Sequence, residues 1–271
     1  MKRIVMPLRA EFGMKVWWHA PAVHAIAGDK IVCIEPGDEA LYPSATEFRV
    51  VTQQHDDARR NRYSRDREFL DNVQRDVITE YGIENVELIF PHDDWPRERF
   101  IPEPRVRQGS PHLYPDIVVC PRRRRYGAEK NWPEWHDLTA GLVADGFTVF
   151  AAGAPDSSYE VPCPQAWDYD RFLDASIEAM LNAKLVVTTD AGLAHLAVLC
   201  GRPTAVITHG DLLVAPGPVI DETGRQMEDR YWPVKLERYV EGNHTDAPLF
   251  FLDHAWYDPA GVRRTIRRLM G

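Results

Sequence analysis

Cysteine is scarce. The 271 residues hold four, at positions 33, 120, 163 and 200, and no two are spaced as C-x-x-C. Cys33 and Cys120 sit inside apolar strand-like runs and Cys200 near the end of a helical one. They read as buried free thiols rather than a zinc site. Long apolar runs are also lacking: none approaches the roughly 20 residues needed to cross a bilayer. The opening MKRIVMPLRAEFG breaks into Arg and Glu too soon for a secretory signal, so the expected compartment is the cytoplasm. Positive charge is short as well. The formal net charge is −9, whereas a protein that grips long nucleic acid is usually basic. No internal repeat and no low-complexity tract interrupts the chain.

An ordinary globular composition is present, 44% hydrophobic and 27% charged, enough to bury a core. Short apolar runs alternate with amphipathic stretches. Residues 2–8, 30–36, 48–53, 86–91, 116–121, 147–153, 185–190 and 203–210 read as strands. Several are apolar at consecutive positions, as parallel strands covered on both faces require. Helical patterns fill 14–27, 65–82, 132–146, 168–183, 191–201 and 258–270, with Gly82 and Gly146 as stops and Pro133 near a start.

Strand alternating with helix predicts an α/β chain with parallel sheets. Segment 92–115, rich in Pro and Arg and without period, divides the chain. Two Rossmann-like domains facing a central cleft are expected. They are an N-terminal domain over 1–112, a second over 113–257, and a last helix, 258–271, packing back on the first. Ligands in such folds sit at the carboxyl ends of the strands.

Three such ends in the second half carry candidate chemistry. In KLVVTTDAGLAHLAV, Asp190 ends a strand and Ala191-Gly192 opens a helix whose first N–H groups and dipole suit a phosphate. His195 lies one turn in. The plainer alternative is a helix N-cap and a partly buried histidine. In VVCPRRRRYGAEKNWPEW, four arginines, among them Arg122 and Arg124, and then Lys130 follow a strand. They suit a di-anion, or form a solvated basic loop. In FAAGAPDSSYEVPC, Glu160 is a candidate for a sugar or ribose hydroxyl, or one residue of a polar loop. In the first half, the turn Glu11-Phe12-Gly13 follows the first strand, with His19 beyond it. Asp93 and Asp94 lie in the dividing segment.

Two of these stretches carry a family resemblance. KLVVTTDAGLAHLAVLCGRPTAVI resembles the D-(T/S)-G-x-x-H-x-A…g-x-P pattern of heptosyltransferase-like glycosyltransferases (family 9), which have the GT-B fold. EKNWPEWHDLTAGLVADGFTVFAAG is similar to that family's K-x-W-P…G segment. Together they cover roughly residues 116–210. The first half departs from the pattern: Met14 stands where a Gly-Asp turn would place the base, and the N-terminal domain is trimmed.

With no metal or other cofactor expected, and inversion if the base lies opposite the leaving group, the resemblance implies sugar transfer from a nucleotide-diphosphate sugar to an acceptor hydroxyl of a carbohydrate or glycan. It places Asp190, Ala191, Gly192 and His195 at the donor sugar and diphosphate. Lys130 falls at the phosphates and Glu160 at a hydroxyl; Arg122 and Arg124, read above from the basic stretch itself, are expected beside Lys130. Charge built on the departing diphosphate can be met by a helix N-terminus and cations. The acceptor hydroxyl needs a base within hydrogen-bond reach. Glu11 is the choice, with Asp93 or Asp94 behind it, and Gly13 and His19 on the acceptor side. Alternatives are the same transfer to a modified base of phage DNA, a non-catalytic nucleotide-sugar-binding module, and an epimerase or hydrolase on the same fold.

Overall fold

The computed structural model describes residues 1–8, 12–51, 67–91, 96, 98, 100–105, 110–124, 131–189, 191–207, 219–220, 226–227, 248–252 and 258–271. The chain forms two compact units, Met1–Glu103 and Pro104–Gly271. The division falls inside the Pro- and Arg-rich segment, nine residues before the expected start of the second domain.

The first unit is built on β1 (Lys2–Val5), β2 (Ile31–Ile34), β3 (Glu47–Val50) and β4 (Val86–Ile89). They form one parallel sheet in the order β3-β2-β1-β4. Ile4 pairs with Ile31 on one side and Leu88 on the other. β2 is buried at all four positions, as an unbroken apolar run in an interior parallel strand should be. Helix α3 (Arg67–Tyr81) covers a face. Its Val73 and Val77, one turn apart, enter a core with Ile4, Met6, Ile31 and Cys33.

The helix expected over 14–27 is not continuous. It comprises α1 (Phe12–Met14), a π-helical turn (Lys15–His19) and α2 (Ala20–Ala25), with Pro21 in the first turn of α2. Proline lacks an N–H and its ring collides with the carbonyl four residues back. The α-helical ladder therefore cannot run through it, and the wider turn precedes it.

The second unit contains β5 (Ile117–Cys120), α4 (Trp135–Ala144), β6 (Val149–Ala151), α5 (Phe172–Asn182), β7 (Leu185–Thr189), α6 (Gly192–Leu199) and β8 (Thr204–Ile207). A short antiparallel pair follows, β9 (Val219–Ile220) with β10 (Gln226–Met227), then β11 (Leu249–Leu252) and α7 (Pro259–Met270). The sheet is parallel, in the order β11-β8-β7-β5-β6. Asp116 clamps the amino ends of three neighbouring strands. It accepts from the Thr148 amide (3.0 Å) and hydroxyl (2.8 Å) and from Lys184 Nζ (2.8 Å).

The last helix was expected to cross back onto the first domain. Instead Val262 and Ile266 lie in the core of the second unit with Trp132, Trp135, Leu138 and Leu142. Arg263 makes a two-pronged pair with Asp145 at the end of α4, at 2.7 and 2.6 Å. The reason is on the helix itself. Residues 262 and 266 are one turn apart and form an apolar stripe that matches α4, and Arg263 beside them meets a carboxylate there.

Candidate active site

Because β5, β6 and β7 are adjacent and parallel, their carboxyl ends open on one edge. The three stretches singled out above leave the sheet there.

β7 ends at Thr189, and α6 begins at Gly192 with Ala191 as its N-cap. Ala191 is extended (φ −151°, ψ 173°) and offers no side-chain acceptor to the first turn. A helix start carries a partial positive charge, worth about 0.3–1 kcal/mol to an anion, more when part-buried. Gly192 is half-buried at this edge. His195 is 2% exposed, inside the unit rather than on its surface. Asp190 lies outside the described residues.

The exits of β5 and β6 are joined. The Tyr159 amide donates to the Pro121 carbonyl (2.6 Å) and the Arg123 amide to the Ser157 carbonyl (2.8 Å). Arg122 and Ser158 face each other as an antiparallel bridge. This two-stranded ribbon needs Gly153 at its root. That residue has φ +138°, and a Cβ there would lie 2.1 Å from Ser158 Oγ. The same Cβ position is 3.9 Å from Leu193, so the ribbon's root meets the first turn of α6. Glu160 is exposed just past the ribbon.

On its other side the ribbon is held by Asn131. The Asn131 Oδ1 accepts from Arg122 Nη1 (2.5 Å) and the Arg124 amide (3.0 Å), and its Nδ2 donates to the Arg124 carbonyl (2.7 Å). Arg122, expected at a phosphate, is only 9% exposed and its guanidinium is engaged with Asn131. Arg123 is exposed, its guanidinium 5.6 Å from the Tyr159 ring centre, and Arg124 is half-buried. Lys130 lies outside the described residues. The neighbouring Trp132 and Trp135 are fully buried, edge to face at 5.2 Å, and anchor the end of this loop in the core.

The first unit has its own set of groups where β1 and β2 end. His19 is buried. Its Nε2 faces the Met6 carbonyl (3.3 Å), which can only accept, so Nε2 carries the proton and Nδ1 accepts from the Tyr42 hydroxyl (2.9 Å). Burial pushes its pKa down to about 3 against the pull of the carbonyl, and the charge of Lys15 adds to the effect. His19 is thus a neutral structural histidine. Lys15 Nζ donates to Asp38 Oδ2 (2.7 Å) and to Glu35. The two carboxylates sit on the turn Glu35-Pro36-Gly37-Asp38, closed by the Asp38 amide on the Glu35 carbonyl (3.2 Å), with Gly37 at φ +92°. Proline second and a positive-φ glycine third give such a turn.

Burial opposes the ammonium of Lys15, yet the two carboxylates hold its pKa above the ordinary value. Burial raises Asp38, with Lys15 opposing and Glu35 adding to the rise. One ammonium stabilises itself between two carboxylates but cannot fully compensate both. Gly13 lies half-buried in α1. Glu11, Asp93 and Asp94 lie outside the described residues.

Sequence reasoning passed over Asn131, Ser158 and Lys15. Asn131 sat in a quoted stretch, but nothing local says that an asparagine will reach back seven to nine residues. Glu-Pro-Gly-Asp is a turn by its residue types alone; the lysine that joins it from 20 residues earlier has no local signal. Among the described residues no group of three or more His, Cys, Asp or Glu side chains is placed to hold a metal ion. All four cysteines are free, and burial raises their thiols to about 11 or 12.

No family model matches the chain. Over 107 residues it is 28% identical to lipopolysaccharide heptosyltransferase 2 of Escherichia coli strain K12, an alignment spanning 34% of this chain and 30% of that protein. The chain therefore matches under a third of this curated relative's length. In structure it is similar to E. coli ADP-heptose lps heptosyltransferase II, with a TM-score of 0.52 and 15% identity, covering 100% of this chain and 98% of the other. It is also similar to the glycosyl transferase family 9 protein of Veillonella parvula DSM 2008, with a TM-score of 0.55 and 12% identity, covering 98% and 89%. At such identities the structural likeness shows the fold. The chain resembles heptosyltransferase-type glycosyltransferases of family 9, in fold along its length and in sequence over about a third of it, with two parallel-sheet α/β units of the GT-B type.

Proposed function

We propose that the protein is a glycosyltransferase that moves a sugar from a nucleotide-diphosphate sugar to an acceptor hydroxyl. The observation that carries this reading is the edge where β5, β6 and β7 end. There a helix start whose N-cap Ala191 supplies no side-chain acceptor, the exposed or half-buried Arg123 and Arg124, and the exposed Glu160 leave one parallel sheet together. Such an edge can receive a diphosphate and neutralise the charge that develops as it leaves. Asp190 and Lys130 join the same site by their positions in the sequence. His195, being buried, acts from behind the first turn of α6.

The donor class follows from the similar E. coli enzyme, named for ADP-heptose, so ADP is the nucleoside diphosphate to try first. The acceptor in this reading is a carbohydrate, which the name of the partly matching lipopolysaccharide heptosyltransferase 2 supports. A modified base of DNA as acceptor gains no support from these likenesses. Binding of ADP at about 100 times its dissociation constant adds roughly 2.7 kcal/mol, a rise of several degrees in unfolding midpoint. No shift with ADP, UDP, GDP, CDP or TDP from a folded sample would remove the reading.

The base is Glu11, with Asp93 or Asp94 as second choice, and transfer inverts the anomeric carbon without a metal. Glu11→Gln is expected to lower turnover at least a hundredfold while leaving ADP binding unchanged. Wild-type turnover in that variant would move the base elsewhere. Chelator-treated enzyme is expected to keep its rate.

A further inference from the structure

Resting on the donor-site reading above, we propose that Asn131 is the positioning residue of the diphosphate site. It fixes the backbone of Arg122–Arg124 so that Arg123 and Arg124, not Arg122, meet the ligand.

Asn131 spends both halves of its amide on one three-residue stretch. Its oxygen accepts from the Arg124 amide and the Arg122 guanidinium, and its nitrogen donates to the Arg124 carbonyl. The opposite side of the stretch is paired to Ser157–Tyr159. The Arg122–Arg124 backbone is thus bonded on both sides before any ligand arrives. Arg122 is the buried anchor of this arrangement. Its guanidinium lies against Asn131, while Arg123 and Arg124 are the more exposed cations at the same edge. Preorganised cations bind a di-anion without first losing backbone freedom. Asn131 is uncharged and reaches the loop rather than the ligand, so its effect passes through the arginines.

The test compares ADP binding by calorimetry in wild type, Asn131→Ala, Asn131→Ser and Arg124→Ala at several salt concentrations. Wild type binds with an affinity that falls as salt rises. Asn131→Ala weakens ADP about tenfold yet keeps the wild-type salt slope, because no ionic contact is lost. Asn131→Ser, which retains one accepting oxygen, recovers part of the loss. Arg124→Ala flattens the slope. A merely structural asparagine would lower the melting temperature without changing the affinity of the folded fraction.

Equal affinity in wild type and Asn131→Ala, or a slope lost in Asn131→Ala itself, would overturn the proposal and leave the donor site standing. No ADP binding by wild type would overturn both. If Asn131→Ala does not fold, Asn131→Ser carries the same comparison.

Discussion

Gly153 and His19 are two residues whose surroundings leave little choice of side chain. At Gly153 the positive φ excludes most side chains, and the space for a Cβ is taken by Ser158 Oγ at 2.1 Å. Gly153→Ala is expected to cost about 1–3 kcal/mol, and adding Ser158→Gly should recover only the clash, since the backbone strain remains. Thermal melts of the single and double variants check this. An unchanged midpoint in Gly153→Ala would mean that the ribbon can shift.

His19 gives a pH dependence. Its folded pKa is about 3 against an ordinary 6.5. Between those values the unfolded chain binds a proton that the folded chain refuses. Stability therefore falls as pH drops from about 6.5 towards 3, at up to about 1.4 kcal/mol per pH unit, and the contribution is flat outside that window. His19→Gln keeps a donor for Met6 and an acceptor for Tyr42 without the titration. Acid unfolding of that variant is expected to depend less on pH between 6.5 and 3; an identical profile would place the acid-sensitive group elsewhere.

Among the elements, each of the eight strand runs read from the sequence overlaps one of β1 to β8. Most are compact apolar stretches bounded by Gly, Pro or charge; β3, Glu47–Val50, alternates polar and apolar residues instead. β11 was not foreseen: Leu249–Leu252 is four residues long, and its partner β8 lies more than 40 positions earlier. The destination of α7 was also not legible, since an amphipathic basic helix carries its apolar stripe wherever it docks. Val262 and Ile266 dominate that docking. Ile266→Ala should cost about 2–5 kcal/mol. Asp145→Ala, which breaks a partly exposed pair with Arg263, should cost clearly less, because water screens such a pair. Denaturant unfolding separates the two, and a larger loss in Asp145→Ala would show that charge, not packing, holds the helix.

At the scale of the molecule, two parallel sheets each gather strand exits on one edge, and chemistry-bearing residues appear on both. The second unit carries the proposed donor site. In the first unit, Lys15, Glu35 and Asp38 form a buried cluster at the exits of β1 and β2. Deleting the lysine would leave two carboxylates close together and part-buried. Lys15→Met is therefore expected to destabilise by about 3–5 kcal/mol, measured by denaturant unfolding. A loss under 1 kcal/mol would mean that water already reaches the cluster.

The sequence by itself determined the alternation of strand and helix, the parallel class of the sheets and the turns at which candidate groups stand. Each of these depends on residues within a few positions of one another: apolar runs, glycine and proline stops, a helix start after a strand. Only the tertiary structure decided the use of those groups. It buried Arg122 against Asn131, made His19 a neutral core residue, closed Lys15 over the Glu35–Asp38 turn and set α7 on α4. Those outcomes depend on which distant backbone and which second charge a side chain meets, and local pattern carries no record of either.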